Sequence, residues 1–206
     1  MLNTGKGIFV LTFIHSPMNA GKTGQLIMSA HACSERNVKY CVIVPALSTE
    51  RDDPNSTTYG YQIYSRAGFT FEAIPFNKDA DLYKLIMSQP TNVHVLFVDE
   101  AQFLTPEQVI DLTRLVDELD IDVYAYGLRT DFKGNLFEGT ASLFAWADKI
   151  DEIQTYAATP TKKKAMFNIK VGENGERIYE GDSISVGFGY KPVSRIEFDL
   201  KKNWHK

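Results

Sequence analysis

The sequence predicts an α/β fold, a mostly parallel sheet flanked by helices, with a small β-rich subdomain after it. Three observations carry that expectation. Apolar runs of strand length alternate with helix-length amphipathic stretches from residue 8 to about residue 150. One strand–helix junction is built from small residues and ends in Gly21-Lys22-Thr23. Beyond residue 150 the helical period stops, and short β-like runs alternate with Gly, Asn, Asp and Pro. The expected division is therefore 1–150 for the α/β domain and 151–206 for the β-rich subdomain and tail.

Taken in order, residues 8–14 form an apolar strand that stops at His15. Residues 16–23 (SPMNAGKT) make the turn, and Leu26, Ile27, Ala30 and Cys33 then recur at helical spacing through Arg36. His31 belongs to that helix. Residues 40–44 (YCVIV) give a second strand, closed by Pro45 and parallel to the first. The polar stretch 48–60 reads as a long surface loop, and residues 62–74 as a short strand pair around Ala67-Gly68 or an extended excursion.

Leu82, Leu85 and Ile86 mark a helix within 80–88, and residues 93–98 (VHVLFV) a buried strand ending in Asp99-Glu100. Pro106–Leu119 is a helix with proline in its first turn and Thr105 placed to cap it. Residues 122–126 supply another strand. In the β-rich part, 165–171, 177–179, 183–186 and 195–200 are the expected strands, with Glu173-Asn174-Gly175 as a tight turn.

Composition bounds the function. A chain of 206 residues with 44% hydrophobic and 23% charged residues is an ordinary globular one. A net charge of −4 argues against a nucleic-acid partner. No apolar run nears the ~20 residues of a membrane span, so no membrane partner is expected. The N-terminus lacks the layout of a secretory signal, and two cysteines, Cys33 and Cys41, are too few for a disulfide framework. A cytoplasmic location is the expectation.

The chemistry sits at two strand ends. A strand, a small-residue turn, Gly-Lys-Thr and a helix form a phosphate-binding loop. Consecutive backbone N–H groups in the turn face an anion, and the helix N-terminus adds its positive end. Ser16, Met18, Asn19, Ala20, Gly21, Lys22 and Thr23 are the nucleotide-binding candidates, with Ser16 where the usual pattern has glycine. Lys22 brings a charge to the outer phosphates, and the Thr23 hydroxyl a ligand for Mg²⁺. Asp99 then reads as the second Mg²⁺ group, and Glu100 as the base for whatever attacks the γ-phosphate. The fold class is a P-loop NTPase (RecA-like), with a nucleoside triphosphate as co-substrate, and the acceptor is left open between water and another hydroxyl.

SPMNAGKT, FVDEAQFL (97–104) and YGLRTDFKGNLFEG (126–139) together resemble the type II, cellular and phage, thymidine kinase family, nearest its phage-encoded branch. The resemblance covers about residues 8–200. It implies transfer of the ATP γ-phosphate to the 5′-hydroxyl of thymidine or deoxyuridine, with Glu100 as general base. It implies that Met18, Phe103, Leu128, Phe132 and Phe137 enclose base and sugar, that Asn168 replaces a pocket threonine, and that Ser185, Val186, Gly187 and Tyr190 contact the nucleoside. A flat pyrimidine suits aromatic walls, and a dry pocket keeps water from the phosphate. Arg51 and Arg66 are candidates to steady transferring phosphoryl charge or to bind the nucleoside side, although the family's Asp-x-Arg reads Thr49-Glu50-Arg51 here.

The resemblance also implies a homotetramer, feedback inhibition by thymidine triphosphate, and a zinc held by two cysteine pairs near 156–160 and 194–198. Neither segment contains cysteine, so no zinc is expected, and β pairing and packing must hold that region, with Pro160, Pro192 and aromatics as stiffeners. Two rivals remain: a P-loop ATPase acting on nucleic acid, and a non-catalytic nucleotide-binding relative.

Overall fold

A computed structural model describes residues 8–48, 62–65, 68, 70–159, 163–181 and 189–198. In chain order the elements are β1 (Leu11–His15), α1 (Lys22–Glu35), β2 (Tyr40–Pro45), β3 (Gln62–Tyr64), β4 (Thr70–Glu72) and β5 (Ile74–Phe76). There follow α2 (Leu82–Met87), β6 (Val95–Val98), α3 (Pro106–Leu119), β7 (Asp122–Gly127), α4 (Glu138–Trp146) and β8 (Lys149–Glu152). The β-rich part contributes β9 (Phe167–Val171), β10 (Arg177–Ile178) and β11 (Gly189–Val193).

Six strands form one sheet in the order β5-β2-β6-β7-β1-β8, and every pairing in it is parallel. Period-2 alternation sends its side chains to two faces. Leu11, Phe13, Ile43, Leu96, Val98, Val123 and Ala125 face a core with α2, α3 and α4. Ile14, Val42, Val44, Phe97 and Tyr126 face the opposite core under Leu26, Ile27 and Ala30 of α1. The three-layer arrangement follows directly, because strands buried on both faces must be covered twice.

Helix α3 begins as its sequence requires. The Thr105 hydroxyl accepts from the Gln108 N–H at 3.2 Å, and the Gln108 side chain accepts from the Thr105 N–H at 3.1 Å, a reciprocal capping box. β2 runs parallel to β1, but β6 and β7 lie between them. β3 and β4 form an antiparallel pair, the first of the two readings of residues 62–74.

Three features depart from the sequence reading. Helix α4 was not expected, since Gly139, Thr140 and Ser142 dilute its apolar period; it forms because its first turn is pressed against the chain at 101–104. Strand β8 pairs with β1 across residue 150, and its short, charged KIDE sequence is that of an edge strand rather than a buried one. Residues 195–198 are a turn instead of the start of a strand: the Glu197 and Phe198 N–H groups both donate to the Ser194 carbonyl. The neighbouring strand is β11, which accommodates Pro192 at the edge of the sheet β10-β9-β11.

The β-rich part is closed by side chains. Glu197 Oε2 accepts from the Ser194 N–H at 2.9 Å and its hydroxyl at 2.6 Å, and the Thr159 hydroxyl donates to Glu197 Oε1. Phe167 and Phe198 stack at 4.4 Å, with Arg177 4.9 Å from the Phe198 ring and donating to its carbonyl at 2.8 Å. The 173–175 turn carries its glycine at φ 81°, and the Gly172 N–H donates to the Glu176 carbonyl at 2.9 Å. Pro160 and the expected strand at 183–186 lie outside the described residues.

The tight seat of α4 gives a stability prediction. A Cβ at Gly139 would meet the carbonyls of Leu104, Ala101 and Gln102 at 2.7, 2.8 and 2.9 Å. Backbone cannot yield as a side-chain tip does, so Gly139→Ala should lower unfolding free energy by about 1–3 kcal/mol in a urea titration. An unchanged midpoint would refute the close approach.

Candidate active site

The loop between β1 and α1 takes left-handed backbone at Asn19 (φ 63°) and Gly21 (φ 86°). Asparagine and glycine are the residues that tolerate it. Gly21 is the N-cap of α1, and no side chain among the described residues caps that helix or places an acid in its first turn. An uncapped, uncountered helix start is suited to an anion. Lys22 is buried; its ammonium donates to Ser16 Oγ at 3.0 Å, the Pro17 carbonyl at 3.0 Å and the Ser16 carbonyl at 3.4 Å. Ser16 is fully buried, so its replacement of glycine supplies a hydroxyl partner for Lys22.

Across the sheet, Asp99 follows β6 and is buried. Burial first, and then the neighbouring Glu100 charge, push its carboxyl up to about 7. The Glu100 N–H, the Thr23 hydroxyl and the Lys22 charge pull the other way. The Thr23–Asp99 hydrogen bond joins the phosphate loop to the β6 end. Glu100 has left-handed backbone (φ 50°) and opens a single 3-10 turn, Ala101–Phe103. Gln102 donates to Glu100 Oε2 at 2.5 Å and accepts the Leu128 N–H at 2.9 Å.

A cavity of about 420 Å³ opens beside this turn, lined by Gln102, Phe103, Phe137, Leu47 and Phe76 among others. Phe103 and Phe137 meet edge to face at 5.8 Å. Leu128 is held from both sides, since its carbonyl accepts the Thr140 hydroxyl at 2.6 Å. Asp131 Oδ1 accepts the Lys133 and Asn135 N–H groups at 2.9 Å each, shaping the loop between Phe132 and Phe137. Phe132 is buried against β9, 5.3 Å from the Lys170 ammonium. Asn168, also on β9, accepts the Met18 N–H at 2.8 Å and so ties the β-rich part to the phosphate loop. Tyr190 lies opposite Lys170 in β11. Arg51, Arg66, Ser185, Val186 and Gly187 lie outside the described residues. A wider groove of about 1000 Å³ opens at the opposite end of the strands, near Lys39, Tyr40 and Thr91, away from these groups.

Ser16, Lys22, Thr23, Asp99 and Glu100, singled out in the sequence, thus meet at one end of the sheet. Gln102, Asp131 and Thr140 were missed as site-building residues. The signal was present for Gln102, a polar residue two after Glu100 in an apolar surround; for Asp131 it was the Asp-x-x-Gly-Asn turn chemistry.

The family model described as thymidine kinase matches residues 9–195. The chain belongs to the thymidine kinase family. A thymidine kinase of Streptococcus agalactiae serotype Ia is 40% identical over 190 residues, which span 91% of this chain and 96% of that protein. One from Legionella pneumophila (strain Lens) is 39% identical over 195 residues, 93% of this chain and 89% of that one. One from Rhodopirellula baltica is 38% identical over 192 residues, 91% and 87% respectively. Family membership makes the chain a kinase, and the Thr23–Asp99 and Glu100–Gln102 contacts lie where the phosphate loop meets β6.

Asn168→Leu should leave the Met18 N–H without its protein acceptor. The expected outcome is a loss of about 1–3 kcal/mol in urea unfolding together with faster amide exchange at Met18. Unaltered exchange at Met18 would refute the link.

Proposed function

We propose that the chain transfers the γ-phosphate of ATP to the 5′-hydroxyl of thymidine or deoxyuridine, giving the 5′-monophosphate. The observation that carries the reading is the convergence of Lys22, Thr23, Asp99 and Glu100 at one sheet end in a thymidine kinase family chain. Phosphoryl transfer needs positioning and charge neutralisation more than covalent chemistry. The loop amides and the start of α1 hold the phosphates, and Lys22 exchanges part of its hold on Ser16 and Pro17 for phosphate oxygens. Glu100 accepts the proton of the 5′-hydroxyl as that oxygen attacks phosphorus. Met18, Phe103, Leu128, Phe132 and Phe137 are proposed to enclose the nucleoside, with Asn168, Ser185, Val186, Gly187 and Tyr190 on its other side and Arg51 near the transferring charge.

Mg²⁺ would supply charge neutralisation across the outer phosphates, held by the Thr23 hydroxyl and Asp99. The donors fit: a hydroxyl and a carboxylate already bonded to each other are hard oxygen ligands, and two carboxylates at one strand end favour a dication. Among the described residues no group of three or more His, Cys, Asp or Glu forms a metal cage. Magnesium at a triphosphate needs none, since phosphates and water complete its shell.

The finer points rest on the sequence resemblance: a place nearest the phage-encoded branch, a homotetramer, inhibition by thymidine triphosphate, and a zinc-less lasso in 151–206 beside a kinase domain in 1–150. A cytoplasmic site of action is part of the same proposal; among the described residues no helix is long and apolar enough to cross a membrane. Acceptance of a small nucleoside without nucleic acid accords with the −4 net charge.

The test is formation of thymidine monophosphate from ATP–Mg²⁺ and thymidine, with Glu100→Gln alongside. Removing the base should lower kcat by about 10²–10⁴-fold. Thymidine-independent ATP hydrolysis without monophosphate would overturn the reading in favour of an ATPase, and binding without turnover in favour of a non-catalytic relative.

A further inference from the structure

We infer that Gln102 is a positioning residue for phosphoryl transfer, aiming the Glu100 carboxylate and coupling it to the wall at Leu128. The inference rests on the reading of Glu100 as the base. Gln102 is 2% exposed, and both ends of its carboxamide are engaged. Nε2 donates to Glu100 Oε2 at 2.5 Å, and Oε1 accepts the Leu128 N–H at 2.9 Å. The two partners are of opposite kind, so the amide has one workable orientation. A flip would set its oxygen against a carboxylate and its NH₂ against an N–H.

The surrounding backbone fits that role. Gln102 sits in the one-turn 3-10 segment Ala101–Phe103, which Glu100 caps with left-handed backbone. A Cβ on Gly127 would sit 3.0 Å from the Gln102 nitrogen and 3.1 Å from its Oε1, so glycine at the end of β7 makes room for the carboxamide. On the other side Gly139 lets α4 press on the Gln102 carbonyl. Leu128 is fixed in turn by the Thr140 hydroxyl. A line of hydrogen bonds therefore runs from α4 through Leu128 and Gln102 to Glu100, with Gln102 also lining the cavity of about 420 Å³. A glutamate has several rotatable bonds, and a base contributes in proportion to the time it spends aimed at its proton.

The two ends of the amide are separable by substitution. Gln102→Glu keeps the oxygen for Leu128 and replaces the NH₂ donor to Glu100 with a carboxyl that competes with Glu100 for a proton; Gln102→Met keeps the volume and removes both. Both are assayed as the full chain, with kcat expressed per thymidine-binding site so that unfolded protein is not counted. Gln102→Glu should lower kcat about 10–100-fold while the thymidine KM stays within about twofold, and Gln102→Met should lower kcat as far and raise KM as well. A purely structural role predicts the reverse: a lower melting temperature with kcat per site unchanged. If Gln102→Glu, or Gln102→Met should the former not fold, retains kcat within about twofold while Glu100→Gln is inactive, the inference on Gln102 is overturned and the base reading stands. If Glu100→Gln itself keeps wild-type kcat, the base reading fails and Gln102 has nothing to aim.

Discussion

Everything at the site depends on the parallel pairing of β7 with both β1 and β6. The register sets His15 against Gly127 and Val98 against Ala125. The chain therefore leaves three strands at one level: into Ser16, into Leu128 and into Asp99. A shift of one residue in either ladder would turn every side chain of a strand to the opposite face. That shift is resisted by two dry cores, because Phe13, Val98 and Ala125 are wholly buried on one side and Ile14, Phe97 and Tyr126 nearly so on the other. Hydrophobic alternation along the strands is thus what holds a lysine, a threonine and two acids within reach of one another.

At the strand ends the backbone leaves ordinary geometry. Asn19, Gly21 and Glu100 are all left-handed, and Glu100 pays the larger steric cost because glutamate is not a residue that favours this region. The strain is local and is over-determined by neighbours: Asp99 Oδ1 accepts the Glu100 N–H at 3.0 Å, and the Phe103 N–H donates to the Glu100 carbonyl at 3.1 Å. A regular strand continuation would instead alternate Glu100 away from the phosphate loop. Turning the chain here sets Gln102 under Glu100 and Phe103 against Phe137 in a single turn of helix.

Legibility in the sequence followed the strength of local signals. Pro106–Leu119 with Thr105 was readable to the residue because proline, cap and apolar period agree. The Gly21-Lys22-Thr23 turn and the Asp99-Glu100 pair stood out by residue type, and the structure brings them to one end of the sheet; their roles toward phosphate and metal belong to the proposal. Helix α4 was not, since its stability comes from contact with the 101–104 carbonyls and a sequence window cannot show contact. The same holds for β8, whose four residues gain strand geometry only by lying beside β1. Asn168 shows the limit most clearly: its amide finds Met18, 150 positions away, and neither residue's neighbours in the sequence indicate the other.

That long-range bond also bears on how the β-rich part is governed. The resemblance places cysteine pairs near 156–160 and 194–198, and these segments carry none. The Thr159, Ser194 and Glu197 side chains instead join the same two segments through one carboxylate, beside the Phe167–Phe198 stack. A metal would fix four ligands at bond strength; a carboxylate accepting hydroxyl and amide donors holds by bonds that are individually weaker and exchangeable with water. Stiffness at that base must therefore come from packing, and Asn168 transmits it one strand further to the Met18 N–H. That carboxamide joins the β-rich part to the loop after β1, and the Arg129–Phe167 and Lys170–Phe132 contacts join it to the segment after β7.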